Sequence, residues 1–258
     1  MQRLLTALAL IALAVYLIGW APMPVFVAGA LGFALLCYWE YSGLVAAQDI
    51  PRPGITGWLT GALIIFRPGL TLPGVSILLL CAFIAALRQD NLRNVLPQVA
   101  SAFMGAFYAF APWRFAIDLR AVSVHLLFFA LALNWVGDSA AYYVGRNFGK
   151  HKLAPVVSPG KSWEGAAASV IGAIGFGLLY LGRFVPQIPW WQVILIAALA
   201  NVAGQFGDLA ESALKRAAGV KDSGHLLPGH GGILDRVDSS LFALPVVYVL
   251  YQLSLSLR

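Results

Sequence analysis

Between positions 207 and 239 an otherwise apolar chain reads GDLAESALKRAAGVKDSGHLLPGHGGILDRVDS. The stretch holds five carboxylates (Asp208, Glu211, Asp222, Asp235, Asp238), four cations (Lys215, Arg216, Lys221, Arg236) and two histidines (His225, His230). Charges are expensive near a bilayer and seldom collect there without a function. Carboxylates mixed with cations and separated by glycine-rich turns suit metal-assisted phosphate chemistry. Asp208, Glu211, Ser212 and Lys215 are spaced i, i+3, i+4, i+7 and would form one helical stripe. That stripe alone is equally well a solvated helix end.

The following loop shifts the balance toward function. Lys221-Asp222-Ser223-Gly224 is turn-like, and Pro228 to Gly232 is flexible and glycine-rich. It leads directly into Ile233–Asp238 and a final apolar run. Gly231 and Gly232, just before a helix, would let backbone N–H groups approach a phosphate. Asp235 and Asp238, three residues apart, can share a face. Mg²⁺ binds through one or two carboxylates plus phosphate oxygens and water. Asp208 and Asp235, from two different helix ends, are the expected ligands, although chemistry alone leaves Asp222 and Asp238 open. Zinc is disfavoured, since no paired His or Cys ligands occur at zinc spacing. His225 and His230 read as loop hydrogen-bonders rather than ligands.

A second polar segment runs from Asn134 to Gly165, with Asn134, Asp138 and Tyr142 on one helix face. Its Ser158-Pro159-Gly160-Lys161-Ser162 resembles part of a phosphate-binding loop. It is not a P-loop: the first required glycine falls at Pro155, and no preceding strand is expected. Arg146, Lys150 and Lys152 fit lipid-headgroup contact as well as catalysis. Lys161 and Glu164, beside small residues and a tryptophan, read as functional.

These residues must be positioned by membrane helices. The 258-residue chain is 60% hydrophobic and 11% charged, against about 25% charged in soluble domains. A polytopic, all-α membrane protein follows. A β-barrel is disfavoured because the apolar runs are continuous rather than alternating. Nine runs are expected to cross: 4–20, 25–46, 55–66, 75–87, 95–111, 122–137, 165–182, 190–207 and 241–257. The third is short enough to be re-entrant. The first reads as an uncleaved span, since no small-x-small cleavage site follows it. Arg3, Arg52, Arg88 and Arg93, the lysine-rich 146–161 segment and the 215–221 segment fall on alternate sides of successive spans. They would share the cytoplasmic face. The N-terminus is then inside, the C-terminus outside, and the polar loops face the cytoplasm. Arg67, Arg114, Arg120 and Arg183 blur that contrast.

The net charge of +6 fits membrane topology better than nucleic-acid binding, and no nucleic-acid partner is expected. Cys37 and Cys81 are expected as small buried residues without a disulfide. All five lysines and seven of the eleven acidic residues lie in the two polar segments. We therefore read one membrane domain over 1–258, with 1–120 as helical scaffold and 121–258 as the catalytic half.

The run Ser212–Asp238 resembles the signature of phosphatidate cytidylyltransferases, the CDP-diacylglycerol synthases. The resemblance is carried by Ser212, Lys215-Arg216, Lys221-Asp222, His230-Gly231-Gly232, Asp235-Arg236 and Asp238. Gly137-Asp138-Ser139-Ala140-Ala141-Tyr142 and Ser158–Gly165 resemble that family's other blocks, with Ser162 where threonine is common. The resemblance implies an all-helical enzyme of the cell's inner membrane that converts CTP and phosphatidate to CDP-diacylglycerol and pyrophosphate. It also implies Mg²⁺ dependence and a homodimer. Asp208 and Asp235 become the leading metal ligands, and Asp208, Lys215 and Asp235 the catalytic set. Ser158, Lys161, Arg216, Lys221, His230, Gly231, Gly232 and Arg236 become substrate-binding candidates. Asp138, Asp222 and Asp238 are left to a second ion or to orienting cations, and participation of a monovalent cation stays open. A CTP-using lipid or polyprenol kinase is the nearest rival. The DxxDGxxAR pattern of CDP-alcohol phosphotransferases is absent. A transporter would more often show repeated halves.

Overall fold

The computed structural model describes residues 2–66, 72–88, 91–227, 229 and 231–256, the side chains of 2–10 and 72 excepted. Among the described residues the helices are α1 (Gln2–Gly19), α2 (Met23–Ala46), α3 (Ile55–Phe66), α4 (Leu72–Ala86), α5 (Val95–Val122), α6 (Val124–Phe148), α7 (Trp163–Phe184), α8 (Trp190–Ala217) and α9 (Leu234–Ser256). A single 3-10 turn, Leu92–Asn94, leads into α5. Among the described residues six helical segments are long and apolar enough to cross a membrane: Met23–Ala46, Leu92–Val122, Val124–Phe148, Trp163–Phe184, Trp190–Ala217 and Leu234–Ser256. α3 has 12 residues, about 18 Å at 1.5 Å per residue, short of the roughly 30 Å hydrocarbon core.

The chain forms two compact units: 1–117 with 214–236, and 118–213 with 237–258. In the first, α2, α3 and α5 pack rings against glycines. Tyr38, Tyr41 and Phe110 are fully buried. A Cβ on Gly61 would strike the Phe110 ring, one on Gly57 the Tyr38 hydroxyl, and one on Gly105 the Tyr41 and Tyr38 rings. Such close approach of helices through small residues is how spans associate where lipid offers no hydrophobic drive. Tyr38 meets Trp58 edge-on at 4.6 Å between centroids. Arg114 Nη1 donates to the Ile65 carbonyl at 3.0 Å, satisfying one of the acceptors that the end of α3 leaves open.

In the second unit, α6 and α7 are antiparallel neighbours, and Gly172 rests on Ala140. Amides and a hydroxyl fill the interior nearby. Asn134, Ser169 and Asn201 are buried, and Gln205 Nε2 donates to Asn201 Oδ1 at 2.8 Å and to the Ala166 carbonyl at 3.2 Å. Gly207 lies against the backbone of Asp238 and the Phe242 ring.

Two expectations need correction. The fold is all-α as expected, but against the expectation of no strand ahead of Ser158, β1 (Lys152–Ala154) and β2 (Ser158–Ser162) pair as a small antiparallel ribbon, with a register shift between Lys152 and Ala154. A strand therefore does precede Ser158, and the Ser-Pro-Gly-Lys-Ser run is itself a strand. Edge strands of a two-stranded ribbon tolerate Pro and Gly because half their backbone needs no ladder partner. Cys37 is buried as expected, but Cys81 is exposed on α4; both are free thiols. An apolar run is compatible with facing lipid as well as facing a protein core.

Candidate active site

In the second unit, the β1–β2 ribbon delivers Lys161 and Ser162 to the start of α7. The Ser162 hydroxyl accepts the Gly165 N–H at 3.2 Å, an N-cap that fixes where the helix begins. Glu164, in the first turn of α7, accepts from the His151 ring at 2.7 Å and from the His151 N–H, tying ribbon to helix. Lys161 Nζ then meets Asp208 Oδ2 of α8 at 2.5 Å, while Ser212 Oγ donates to Asp208 Oδ1 at 3.3 Å.

A cavity of about 470 Å³ opens here, lined among others by Asp138, Tyr142, Arg146, Lys161, Ser169 and Asp208. Asp138 feels the fields of both Asp208 and Lys161. At its side Arg146 Nη1 donates to the Tyr142 hydroxyl at 2.9 Å. The expected face Asn134–Asp138–Tyr142 is thus realised on α6, with Asn134 buried and the other two exposed at the cavity.

In the first unit the signature loop closes on Asp235. Lys215 Nζ lies 2.6 Å from Asp235 Oδ1, with side chains only 11% and 4% exposed. Asp235 Oδ2 accepts the Ser223 N–H at 2.9 Å, the Ser223 hydroxyl at 3.0 Å and the Gly232 N–H at 2.8 Å. Gly231 has φ of +78°, and a Cβ there would come within 2.8 Å of Asp235 Oδ2 and 3.2 Å of Asp222 Cβ. Only glycine combines that conformation with that proximity at no cost. Leu227 N–H bonds the Gly231 carbonyl at 2.9 Å and closes the loop.

Lys221, Asp222, Arg216 and Arg236 are exposed, and Arg216 Nη1 donates to the Val220 carbonyl at 3.1 Å. Ser158 is half-buried at the start of β2. Asp238 belongs to the second unit, where its Oδ1 accepts the Ser239 N–H at 2.7 Å. Asp208 and Asp235 fall in different units. His230 and Arg67 lie outside the described residues.

The donors are carboxylates and hydroxyls, the kind a hard divalent cation takes, but among the described residues no three His, Cys, Asp or Glu gather to hold one. Asp208 has one oxygen toward Ser212 and one toward Lys161, beside Asp138. Asp235 is more fully engaged, and a cation there would share Oδ1 with Lys215.

Sequence reasoning missed Glu40. It is 2% exposed on α2, and accepts from the Ser223 hydroxyl at 3.0 Å, the Ile233 N–H at 2.9 Å and the Leu234 N–H at 2.8 Å. The available signal was its position as the single charge in the apolar run 25–46.

A family model described as the cytidylyltransferase family matches residues 1–254. This chain belongs to the cytidylyltransferase family. It is 35% identical to the phosphatidate cytidylyltransferase of Staphylococcus saprophyticus over 96% of its own length and 98% of that protein's. The Staphylococcus aureus protein of the same name is 32% identical over the same shares. That of Bacillus subtilis is 42% identical over 60% of this chain and 59% of its own. The similarity to this family therefore extends through the apolar first half, beyond the signature and its two companion blocks.

Proposed function

We infer that this cytidylyltransferase transfers a cytidylyl group from CTP to phosphatidate, giving CDP-diacylglycerol and pyrophosphate. The observation that carries the reading is a matched pair of lodgements: each carboxylate that the family resemblance assigns to metal, Asp208 and Asp235, is seated against a lysine. Carboxylate–lysine pairs of this kind suit a site that must receive polyanions and counter their charge.

A phosphatidate phosphate oxygen attacks the α-phosphorus of CTP. The new P–O bond forms as the bond from that phosphorus to the bridging oxygen of pyrophosphate breaks. The nucleophile is already anionic, so no strong base is required. The barrier lies in bringing two polyanions together, and cations lower it. Lys161 and Lys215 would do so, with Arg216, Lys221 and Arg236 as further candidate phosphate contacts. Ser158, His230, Gly231 and Gly232 complete the substrate-binding set, Gly231 through its backbone N–H, while that of Gly232 is already given to Asp235. Mg²⁺, held by Asp208 and Asp235, would offset triphosphate charge and stabilise the leaving group. Asp138, Asp222 and Asp238 are left to a second ion, monovalent or divalent, or to orienting the cations.

The enzyme is a multi-pass protein of the cytoplasmic membrane, working as a homodimer with its polar loops and N-terminus inside. Nine crossings follow if α1, α3 and α4 also cross. α3 and α4 are consecutive, so their failing to cross would leave every basic loop on the same side.

Purified protein in detergent, given phosphatidate, Mg²⁺ and labelled CTP, is expected to yield labelled CDP-lipid and pyrophosphate, and to stop in EDTA. Phosphorylated lipid in place of CDP-lipid would establish a kinase. No nucleotide turnover from folded protein would overturn the reading.

A further inference from the structure

We propose that Glu40 is a positioning residue for the reacting site: it seats Asp235 from beneath the signature loop. The inference rests on the reading of Asp235 as part of the cytidylyl-transfer machinery.

The first N–H groups of an α-helix have no acceptor within the helix. The residue flanking the start of α9 is Ile233, whose side chain has no oxygen to offer them. Glu40 supplies the cap from α2 instead, through Oε1 to the Ile233 N–H and Oε2 to the Leu234 N–H, 193 and 194 residues away. A carboxylate there also favours the positive end of the helix. Asp235 is the next residue. Its own Oδ2 reaches back to the Gly232 N–H, so the two carboxylates divide the amides of this helix start between them.

A second link joins them. The Ser223 hydroxyl lies 3.0 Å from Glu40 Oε2 and 3.0 Å from Asp235 Oδ2. The loop wraps Glu40 closely. A Cβ on Gly224 would stand 2.8 Å from Glu40 Oε1, and one on Gly232 would collide with Glu40 Oε2 and Ser223 Oγ. Asp235 is therefore oriented by the helix start, which Glu40 caps, and by Ser223, whose single hydroxyl proton the two carboxylates share. Partners of this kind, one step removed from the reacting groups, typically change activity about 10–100-fold when lost.

The test compares wild type, Glu40→Gln and Ser223→Ala in detergent, by steady-state kinetics with CTP and phosphatidate and by thermal unfolding. Glu40→Gln keeps the size and one acceptor oxygen, but turns an amide N–H₂ toward donors. A kcat on the order of 10–100-fold lower, with KM for CTP changed less than about threefold, is the expected result. Faster hydrogen exchange over 222–236 should accompany it. Ser223→Ala should lower kcat in the same manner, and it carries the test if Glu40→Gln fails to fold. Folded variants with wild-type kcat overturn the proposal while leaving the activity intact. A loss confined to thermal stability or KM overturns it too. Wild-type protein that makes no CDP-lipid overturns both this inference and the activity on which it rests.

Discussion

Lys215 and Asp235 form a buried pair whose members cannot be removed one at a time without exposing the other to an uncompensated environment. Breaking such a pair costs about 3–5 kcal/mol, whereas replacing both partners is far milder. Lys215→Met should therefore lower the unfolding midpoint sharply. Lys215→Met with Asp235→Leu should recover much of that stability while remaining inactive, which a thermal-shift assay and a turnover assay separate. The Lys161–Asp208 pair behaves differently, because its side chains are 27% and 31% exposed. Solvent leaves such pairs worth about 0–1 kcal/mol to stability. Lys161→Met is expected to leave folding nearly unchanged and, if Lys161 binds phosphate as proposed, to reduce turnover about 10²-fold or more. Gly231→Ala should fail through geometry alone: its φ is left-handed and its methyl would press on Asp235. Activity should fall with little change in CTP affinity if Asp235 acts in the chemical step.

At the scale of elements, the nine helices among the described residues were legible because continuous apolar runs are hard to build into anything else. The polar stripe Asp208–Lys215 was equally legible, and α8 carries all of it. The β1–β2 ribbon was not. Its sequence contains Pro155, Pro159 and Gly160, residues that argue against strand, and its pairing is held by the ends of α6 and α7 rather than by propensity. Glu40 stayed hidden for another reason: its partners lie 183 to 194 residues away, and no local pattern reports such a distance. The ribbon makes its own prediction. Ser162→Ala removes the cap of α7 and should cost about 1 kcal/mol. Ser162→Thr keeps the hydroxyl and should cost less, as thermal unfolding of the two variants would show.

The whole molecule makes a prediction about sidedness. Val156 is 89% exposed at the tip of the ribbon, and Gln187 is exposed between α7 and α8. In protein whose Cys37 and Cys81 have been replaced, Val156→Cys should react with an impermeant thiol reagent only from the cytoplasmic side. Gln187→Cys should react only from the other side. Equal labelling of both from one side would refute α7 as a crossing segment.

The ring-against-glycine packing of α2, α3 and α5 also limits how this chain can drift over evolutionary time. The rings can shrink one at a time and leave a cavity, but Gly57, Gly61 and Gly105 cannot grow unless their partners shrink first. Substitution here has a preferred order. A relative that carries alanine at position 61 should carry a smaller side chain at position 110, and the intermediate with alanine facing phenylalanine should be the rare one.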